Sequence, residues 1–599
     1  MVRTLTRSLA RVLQVPAITG PILGKELRVS SRRRRNYVLR AVYVLLLTLF
    51  MAITWQTVTG SSGPSVYLIS RMSIAGRAIV TTLIWFQFLA TQLIAIVMLS
   101  SSISDEIDHR TLGVLMTTPI TSFQIVVGKL LSKLWQLLIL LAISVPVLTI
   151  VRIFGGVPWE YVLAGVCITL TSAIFLGSIS MYFSIFNRRA YSAILRTFLV
   201  AFIVFVFVPG ILGLACRPNP GLAFLSLLFY TNPYVALTLV SQMMFVPRSM
   251  PGMPALVWQI HCLVMLGASV GILGVCVKVV RRVALRQATG EAGAFPKRKR
   301  RPRLLQPVAR APVRASAAAA GGIRRIDGSP IVWRELRTPL LRSRTKGIVG
   351  IVVAAIAVLI TYALIGARGG LDESGTHVAF AVLFLLVGMI CTAVLSATSI
   401  TSEKESRTWP LLLSTTLSDW HIVFGKAAGV VRRCAPAWIP LAGHMALFGL
   451  LARYVHPFVW VHLTMLATWV VVFLTGTGLY FSARLKRTTT AVVANLGLAL
   501  ALWLVLPIIL SSMEISPDRP KGLGSLYLCA NPVVQAVTVT EAGCGEYHAT
   551  QSLREFNYEW AWDTVGGTTK AMLGYMVFHC GVGLLFANAA RRRLRRNIF

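Results

Sequence analysis

An all-α, polytopic integral membrane protein is the fold class this sequence predicts, and three observations carry that expectation. Of the 599 residues, 56% are hydrophobic and 13% charged, whereas a soluble chain carries about 25% charged residues. Mean hydropathy is +0.72. Apolar runs of the length a bilayer requires, about 20 residues per helix, recur through both halves of the chain. A single water-soluble fold is thereby excluded. The nine cysteines show no CxxC pair and no metal-ligand spacing, so they read as small buried apolar residues. Only Cys529 and Cys544 share a polar segment, where bridged and free states both stay open.

Taken in order, six spans are expected at 37–58, 78–100, 134–154, 161–186, 194–216 and 256–280. Six more follow at 347–366, 378–400, 436–451, 458–481, 491–511 and 572–590. The ninth is short and holds Pro436 and Pro440, which leaves its ends the least defined. The first follows 36 polar and basic residues and is too long for the apolar stretch of a signal peptide. Alternating the loops across the bilayer puts most of the 59 Lys+Arg on one side, the cytoplasmic one. Arg188 and Arg189, then Arg484, Lys486 and Arg487, then the tail arginines from Arg591 to Arg596 agree one by one. Both termini of this multi-pass protein are therefore expected on the cytoplasmic side of the cell membrane. The net charge of +39 reads as a topology signal and a surface for anionic membrane lipid. The run KRKRRPR at 297–303 has the composition of a nucleic-acid patch. It lies in a Pro/Ala/Gly-rich linker at 281–328, and reads as a disordered, lipid-facing segment with no nucleic-acid partner.

The two halves of the sequence repeat. Pro21-Ile-Leu-Gly-Lys-Glu-Leu-Arg28 stands before the first span and Pro330-Ile-Val-Trp-Arg-Glu-Leu-Arg337 before the seventh. The stretches 103–129 and 400–426 align without gaps, with ten identities in 27 positions. Tyr182-Phe-Ser184 matches Tyr480-Phe-Ser482, Pro209 matches Pro507, and Asn232-Pro233 matches Asn531-Pro532. These anchors lie 309, 297, 298, 298 and 299 residues apart. Each repeated proline falls in the fifth span of its half, where it is expected to kink the helix. The organisation expected is a first six-helix domain at 1–280 opening on an interfacial helix, the linker at 281–328, and a second six-helix domain at 329–599 with a long external loop at 513–565. Two parallel repeats imply a pseudo-twofold axis along the membrane normal, with a substrate path at their interface.

Two motif regions stand out. The segment before each first span, with Lys25, Glu26 and Arg28 in one copy and Arg334, Glu335 and Arg337 in the other, suits a helix lying on the inner leaflet. In the loop after each second span, Glu106 precedes Arg110 by four residues, and Glu403 precedes Arg407 likewise, the favoured order for a helical ion pair. A second helix-like piece ends in Gly128-Lys129 and Gly425-Lys426. A loop of roughly 30 residues with two such pieces exceeds what a connector needs, and is expected to dock a partner.

In this order the motifs resemble the membrane permease of type-2 ABC transporters, an exporter class with six helices per domain. Glu106, Arg110-Thr111, Leu115, Thr118-Pro119 and Gly128-Lys129 follow that family's pattern in the first half. Glu403, Arg407-Thr408, Leu412 and Gly425-Lys426 follow it in the second, where Thr416 stands in place of the proline and Pro410 is added. The resemblance covers nearly all of the chain apart from the linker and the external loop. It implies that Glu106, Arg110, Thr111, Pro119, Glu403, Arg407 and Thr408 belong to coupling helices that touch ATPase subunits, two of them for two halves. It implies a connecting helix before the first span, and ATP and magnesium on the partner rather than on this chain. In accord, the sequence holds no G-x-x-x-x-G-K-[ST] phosphate loop.

A secondary transporter with two six-helix halves is the alternative. Ion-coupled carriers place ionisable groups in the membrane, whereas none of the twelve expected spans holds an Asp or Glu, and Arg40, Arg152, Arg196 and Lys278 fall near span ends. His261, His444 and His579 read as isolated packing histidines. No convergent carboxylates, metal cluster or nucleophile with its base point to an enzyme. The loop 513–565 holds seven of the twenty carboxylates, with Tyr547, Phe556, Tyr558, Trp560 and Trp562. Those aromatics suit either interfacial anchoring or a lid over an exit.

Overall fold

The computed structural model describes residues 15–31, 34–59, 68–108, 111, 117–187, 190–210, 222–245, 257–288, 329–337, 344–367, 369–452, 454–507, 527–544 and 564–595. Arg110, Leu115, the basic run at 297–303 and the five aromatics of the long loop lie outside the described residues. Among the described residues every named element is helical, and one isolated β-bridge joins Val455 to Cys544.

The first half of the chain runs through α1 (Val15–Ser31), α2 (Arg34–Thr59), α3 (Leu68–Ser100), the short α4 (Ser104–Asp108), α5 (Ser122–Gly155), α6 (Trp159–Phe186), α7 (Ala190–Phe202), α8 (Leu222–Thr231), α9 (Pro233–Phe245) and α10 (Trp258–Ala288). The second half runs through α11 (Pro330–Arg337), α12 (Arg344–Gly366), α13 (Ser374–Thr398), α14 (Thr401–Glu405), α15 (Trp409–Leu413), α16 (Asp419–Ala446), α17 (Phe458–Arg484), α18 (Thr488–Leu500), α19 (Pro532–Ala542) and α20 (Val565–Arg593). Three π turns extend helices: Ile203–Phe207 after α7, Leu447–Leu451 after α16 and Ala501–Val505 after α18.

Ten of these helices are long and apolar enough to cross a membrane, and the protein is an all-α polytopic membrane protein. The first and seventh expected spans carry shorter apolar stretches, Tyr37–Ala52 and Val352–Gly366. The ninth expected span, 436–451, covers only the last part of its helix, which runs over Asp419–Leu451. Hydropathy misses the start because the first turns mix charge with apolar residues. The cap marks it instead: the Ser418 hydroxyl accepts from His421 N–H. The matching α5 opens on a reciprocal box, Thr121 Oγ1 accepting from Gln124 N at 3.2 Å and Gln124 Oε1 from Thr121 N at 3.0 Å. It closes on Gly156 at φ 62, a left-handed position that favours glycine.

Packing follows one plan in the two halves. In the first, α3 packs against α5 and α6, and α6 against α10; in the second, α13 packs against α16 and α17, and α17 against α20. The halves meet where α3 and α7 touch α18 and where α7 touches α13. The fifth-span helices interlock there. Val505 packs in the first half's core with Phe88 and Leu137, and Phe205 packs beside Phe175 and Tyr234 in a core that both halves share.

The closest helix contact is α17 on α20. A Cβ on Gly583 would lie 2.9 Å from both Phe473 Cα and the Val472 carbonyl oxygen, backbone atoms that cannot yield as a side chain does. Gly583→Leu is expected to lower the thermal unfolding temperature in detergent, at a cost of about 1–3 kcal/mol or more. Gly581→Leu, where a Cβ meets nothing within 4 Å, is the neutral control.

Candidate functional site

The repeated motifs converge on a buried charge cluster where α11, α14 and α16 meet. On α11, Ile331 and Glu335 are both buried; four residues apart, they lie on one helix face. The facing helix α16 offers a groove made by Gly425 and Gly429. A Cβ at 425 would meet Ile331 Cγ2 at 2.6 Å, and one at 429 would meet Glu335 Cβ at 2.9 Å. Two missing side chains therefore let α11 seat on α16.

Lys426, between those glycines, fills the junction with a side chain only 2% exposed. Its Nζ donates to Glu335 Oε1 at 2.8 Å and to Glu403 Oε1 at 2.5 Å. Arg334 Nη2 closes the ring, 2.7 Å from Glu403 Oε1 and 3.2 Å from Glu335 Oε1. Arg433 reaches Glu335 Oε2 at 3.3 Å, and Arg432 donates to the Glu335 carbonyl at 2.8 Å. Burial pushes the Glu335 carboxyl up, but the Lys426 ammonium beside it, with Arg433 and Arg334, pulls it down further, so it lies below its ordinary 4.5.

The first half builds the same junction more loosely. Lys129 Nζ donates to Glu106 Oε1 and to the Ser102 carbonyl, both at 2.9 Å. Glu26 on α1 stands 4.0 Å from Lys129 and 3.9 Å from Lys133. Thr111 bonds the Glu106 carboxylate.

The repeated Tyr-Phe-Ser motif holds the start of each loop. Ser184 Oγ accepts from the N–H groups of Ile103 and Ser104 at 3.0 and 2.9 Å, and Ser482 Oγ from those of Ile400 and Thr401 at 2.9 Å each. In the second half α14 also ties down the turn between α17 and α18. Lys404 Nζ donates to the carbonyls of Ser482, Ala483 and Leu485 at the end of α17, where a cation suits the helix dipole. Glu405 accepts from Thr488 N and Oγ1 at the start of α18, at 2.7 and 2.5 Å. Arg487 in that turn lies 4.0 Å from Asp105 of the other loop. The end of α20 grips the same loop, with Arg595 Nε 2.8 Å from Asp419 Oδ1 and Arg591 stacked 4.8 Å over Trp420.

The structure brings Glu26 and Glu106 onto Lys129, and Glu335 and Glu403 onto Lys426 with Arg334 bridging the two acids. It does not pair Glu403 with Arg407. The helix ends at Glu405, and Arg407 has φ 56, so the four-residue spacing never becomes a helical turn and Glu403 turns to Lys426 and Arg334 instead. Thr408 N–H donates to the Glu403 carbonyl at 3.0 Å. Lys25, Arg28, Pro119, Arg337 and Arg407 are exposed, and Arg337 stacks 4.6 Å over Trp333. Reading residues by spacing passes over Lys129, Lys426, Arg433, Ser184 and Ser482 as site members, although the duplication repeats both Gly-Lys and Tyr-Phe-Ser.

His444 is not isolated either. Its Nδ1 lies 2.6 Å from Tyr362 OH, and its Nε2 lies 3.3 Å from His377 Nδ1, whose Nε2 meets the Leu371 carbonyl at 2.9 Å. His261 and His579 bond the Tyr230 and Tyr575 carbonyls. Cys544 is a buried free thiol, so no bridge joins it to Cys529.

Among the described residues, no three His, Cys, Asp or Glu side chains are placed to hold a metal ion. The chain belongs to the ABC-2 transporter family: the family model described as "ABC-2 family transporter protein" matches residues 21–280 and 369–543, more than half of its length. It is a permease, the membrane component of a transport system. No curated protein matches the chain.

Lys426→Met would remove the buried counterion of two carboxylates and leave them the more exposed Arg334 and Arg433, and is expected to cost about 3 kcal/mol in thermal unfolding in detergent at neutral pH. Lys129→Met is expected to cost less, because Glu26 there is more distant and 28% exposed. Because the folded Glu335 carboxyl lies below 4.5, the unfolded chain takes up that proton first as pH falls. The contribution of the α11 junction is thus complete above pH 4.5 and is lost as pH drops through the folded value. Protease cleavage near α11, measured against pH, checks this. Glu335→Gln should flatten the profile.

Proposed function

We propose that the chain is the membrane-spanning subunit of an ATP-binding-cassette exporter of the cytoplasmic membrane, with both termini cytoplasmic. Its two six-helix halves move substrate by alternating access, and ATP binding and hydrolysis on two separate ATPase subunits drive the change. The coupling elements are the loops carrying Glu106, Arg110, Thr111 and Pro119 in one half and Glu403, Arg407 and Thr408 in the other. ATP and magnesium are held by the partners.

One observation carries this reading: in each half, the glutamate of the loop and the glutamate of the preceding interfacial helix converge on a single lysine of the following helix. A load applied to the loop therefore reaches two other elements at once, through charge-assisted hydrogen bonds in the second half and through a hydrogen bond and a 4.0 Å ion pair in the first. The path for substrate is the seam formed by α3, α7, α13 and α18, since transport sites commonly lie where two repeats meet.

The test is a mild-detergent pull-down of the tagged chain from native membranes, scored for a co-purifying ATPase, beside a Glu106→Ala/Glu403→Ala double variant. An ATPase recovered with the parent and reduced several-fold with the variant is the expected outcome. Absence of any ATPase across several detergents would sink the reading and direct attention to proton- or sodium-gradient uptake.

A further inference from the structure

The two repeated sequence anchors that the loop junctions leave unexplained are Pro209/Pro507 and Asn232/Asn531. The structure joins each proline to its asparagine. Pro507 has no N–H, so the carbonyl of Trp503, four residues before it, lacks its helical donor. Asn531 Nδ2 donates to that carbonyl at 2.6 Å. In the first half Pro209 leaves the Phe205 carbonyl in the same position, and Asn232 Nδ2 donates to it at 2.7 Å.

Each proline also closes on a π turn, which shifts the ladder by one residue. Leu506 N–H reaches back to Ala501, and where the ladder returns to four-residue spacing the Leu502 carbonyl is passed over. Tyr527 OH donates to it at 2.9 Å. In the first half Val208 N–H likewise reaches back to Ile203. Both asparagines are buried, at 2% and 5% exposed. Their other atom is in use too: Asn531 Oδ1 accepts from Val533 N at 2.9 Å and Asn232 Oδ1 from Tyr234 N at 3.0 Å, capping α19 and α9.

We propose that Asn232 and Asn531 are hinge pins. Each fastens the proline-broken end of a fifth-span helix to the Asn-Pro helix that follows, so that the two move as one body about the π turn. The place of the turns gives the pins a role in gating. Val505, at the end of its π turn, packs in the core of the opposite half, and Phe205, within its own, packs in a core that both halves share, so sliding of the halves along their seam loads both hinges. The pins pass that load to α9 and α19. The inference does not depend on which energy source drives transport.

The test is hydrogen–deuterium exchange on the full chain in lipid nanodiscs. Serine keeps the helix-capping oxygen but cannot reach the carbonyl, so Asn531→Ser removes the pin alone. Pro507→Ala returns an N–H to the helix and should make the pin dispensable. In the parent, the turn at 501–507 and the segment 527–544 are expected to exchange with one common protection. Asn531→Ser should lower protection of both by about tenfold, the size of one unmade buried hydrogen bond, and separate their values. The junction around Lys426 should be unchanged. Asn531→Ser/Pro507→Ala should recover most of the loss, as should the matching pair at Asn232 and Pro209. Unaltered exchange in Asn531→Ser, or a loss that Pro507→Ala does not repair, would overturn the proposal. Should Asn531→Ser fail to accumulate, recovery of folded yield by Pro507→Ala supports it and absence of recovery overturns it.

Discussion

Lys426 is the interaction on which the organisation of the second half depends. A buried ammonium is tolerated only with partners that return most of its lost hydration, and this one holds Glu335 of α11 and Glu403 of α14 at once. Removal of either acid would leave the buried Lys426 ammonium with one counterion fewer. The geometry in turn requires Gly425 and Gly429, because any larger side chain there would hold α11 away from α16. Helix groove, buried lysine and paired acids are one device, and the loop after α13 inherits its position from it. The first half repeats the device around Lys129 with longer distances and more exposed acids, so the two loops are held with unequal stiffness.

A second constraint runs through the whole bundle. Inside an apolar region every interrupted backbone hydrogen bond needs a local substitute, and this chain supplies side chains for that purpose at matched places. Ser184 and Ser482 receive the N–H groups at the start of each loop. Asn232 and Asn531 supply the N–H groups that the prolines lack. Lys404 closes the end of α17 and Glu405 opens α18. Lys404 has no basic counterpart in the first half, where Ile107 occupies the aligned position, and with Glu405 it binds the second loop to the turn that faces Asp105 across the seam.

Much of the site was visible as residues and little of it as contacts. The glutamates before the first and seventh spans, and those after the second and eighth, stand out because they recur in matching surroundings. Their partners were harder to read. Spacing favoured Arg407 for Glu403, a choice valid only if the helix continued, and it stops two residues earlier. Lys426 was visible as half of a repeated Gly-Lys, yet nothing in a one-dimensional pattern says that its side chain turns inward rather than to solvent. His444 shows the same limit: Tyr362 and His377, which it joins, lie 82 and 67 residues away along the chain.

By itself the sequence determined the helical membrane class, the order of the apolar segments and the positions of the recurring motifs, because hydropathy and repetition are properties of neighbouring residues along the chain. Only the tertiary structure decided the bounds of the helix from Asp419 to Leu451, the partner of each buried charge and the match of each proline to its asparagine. Those outcomes depend on which helix faces come within about 3 Å of one another. That proximity is set by packing across the bundle, which includes glycines whose meaning is the absence of a side chain.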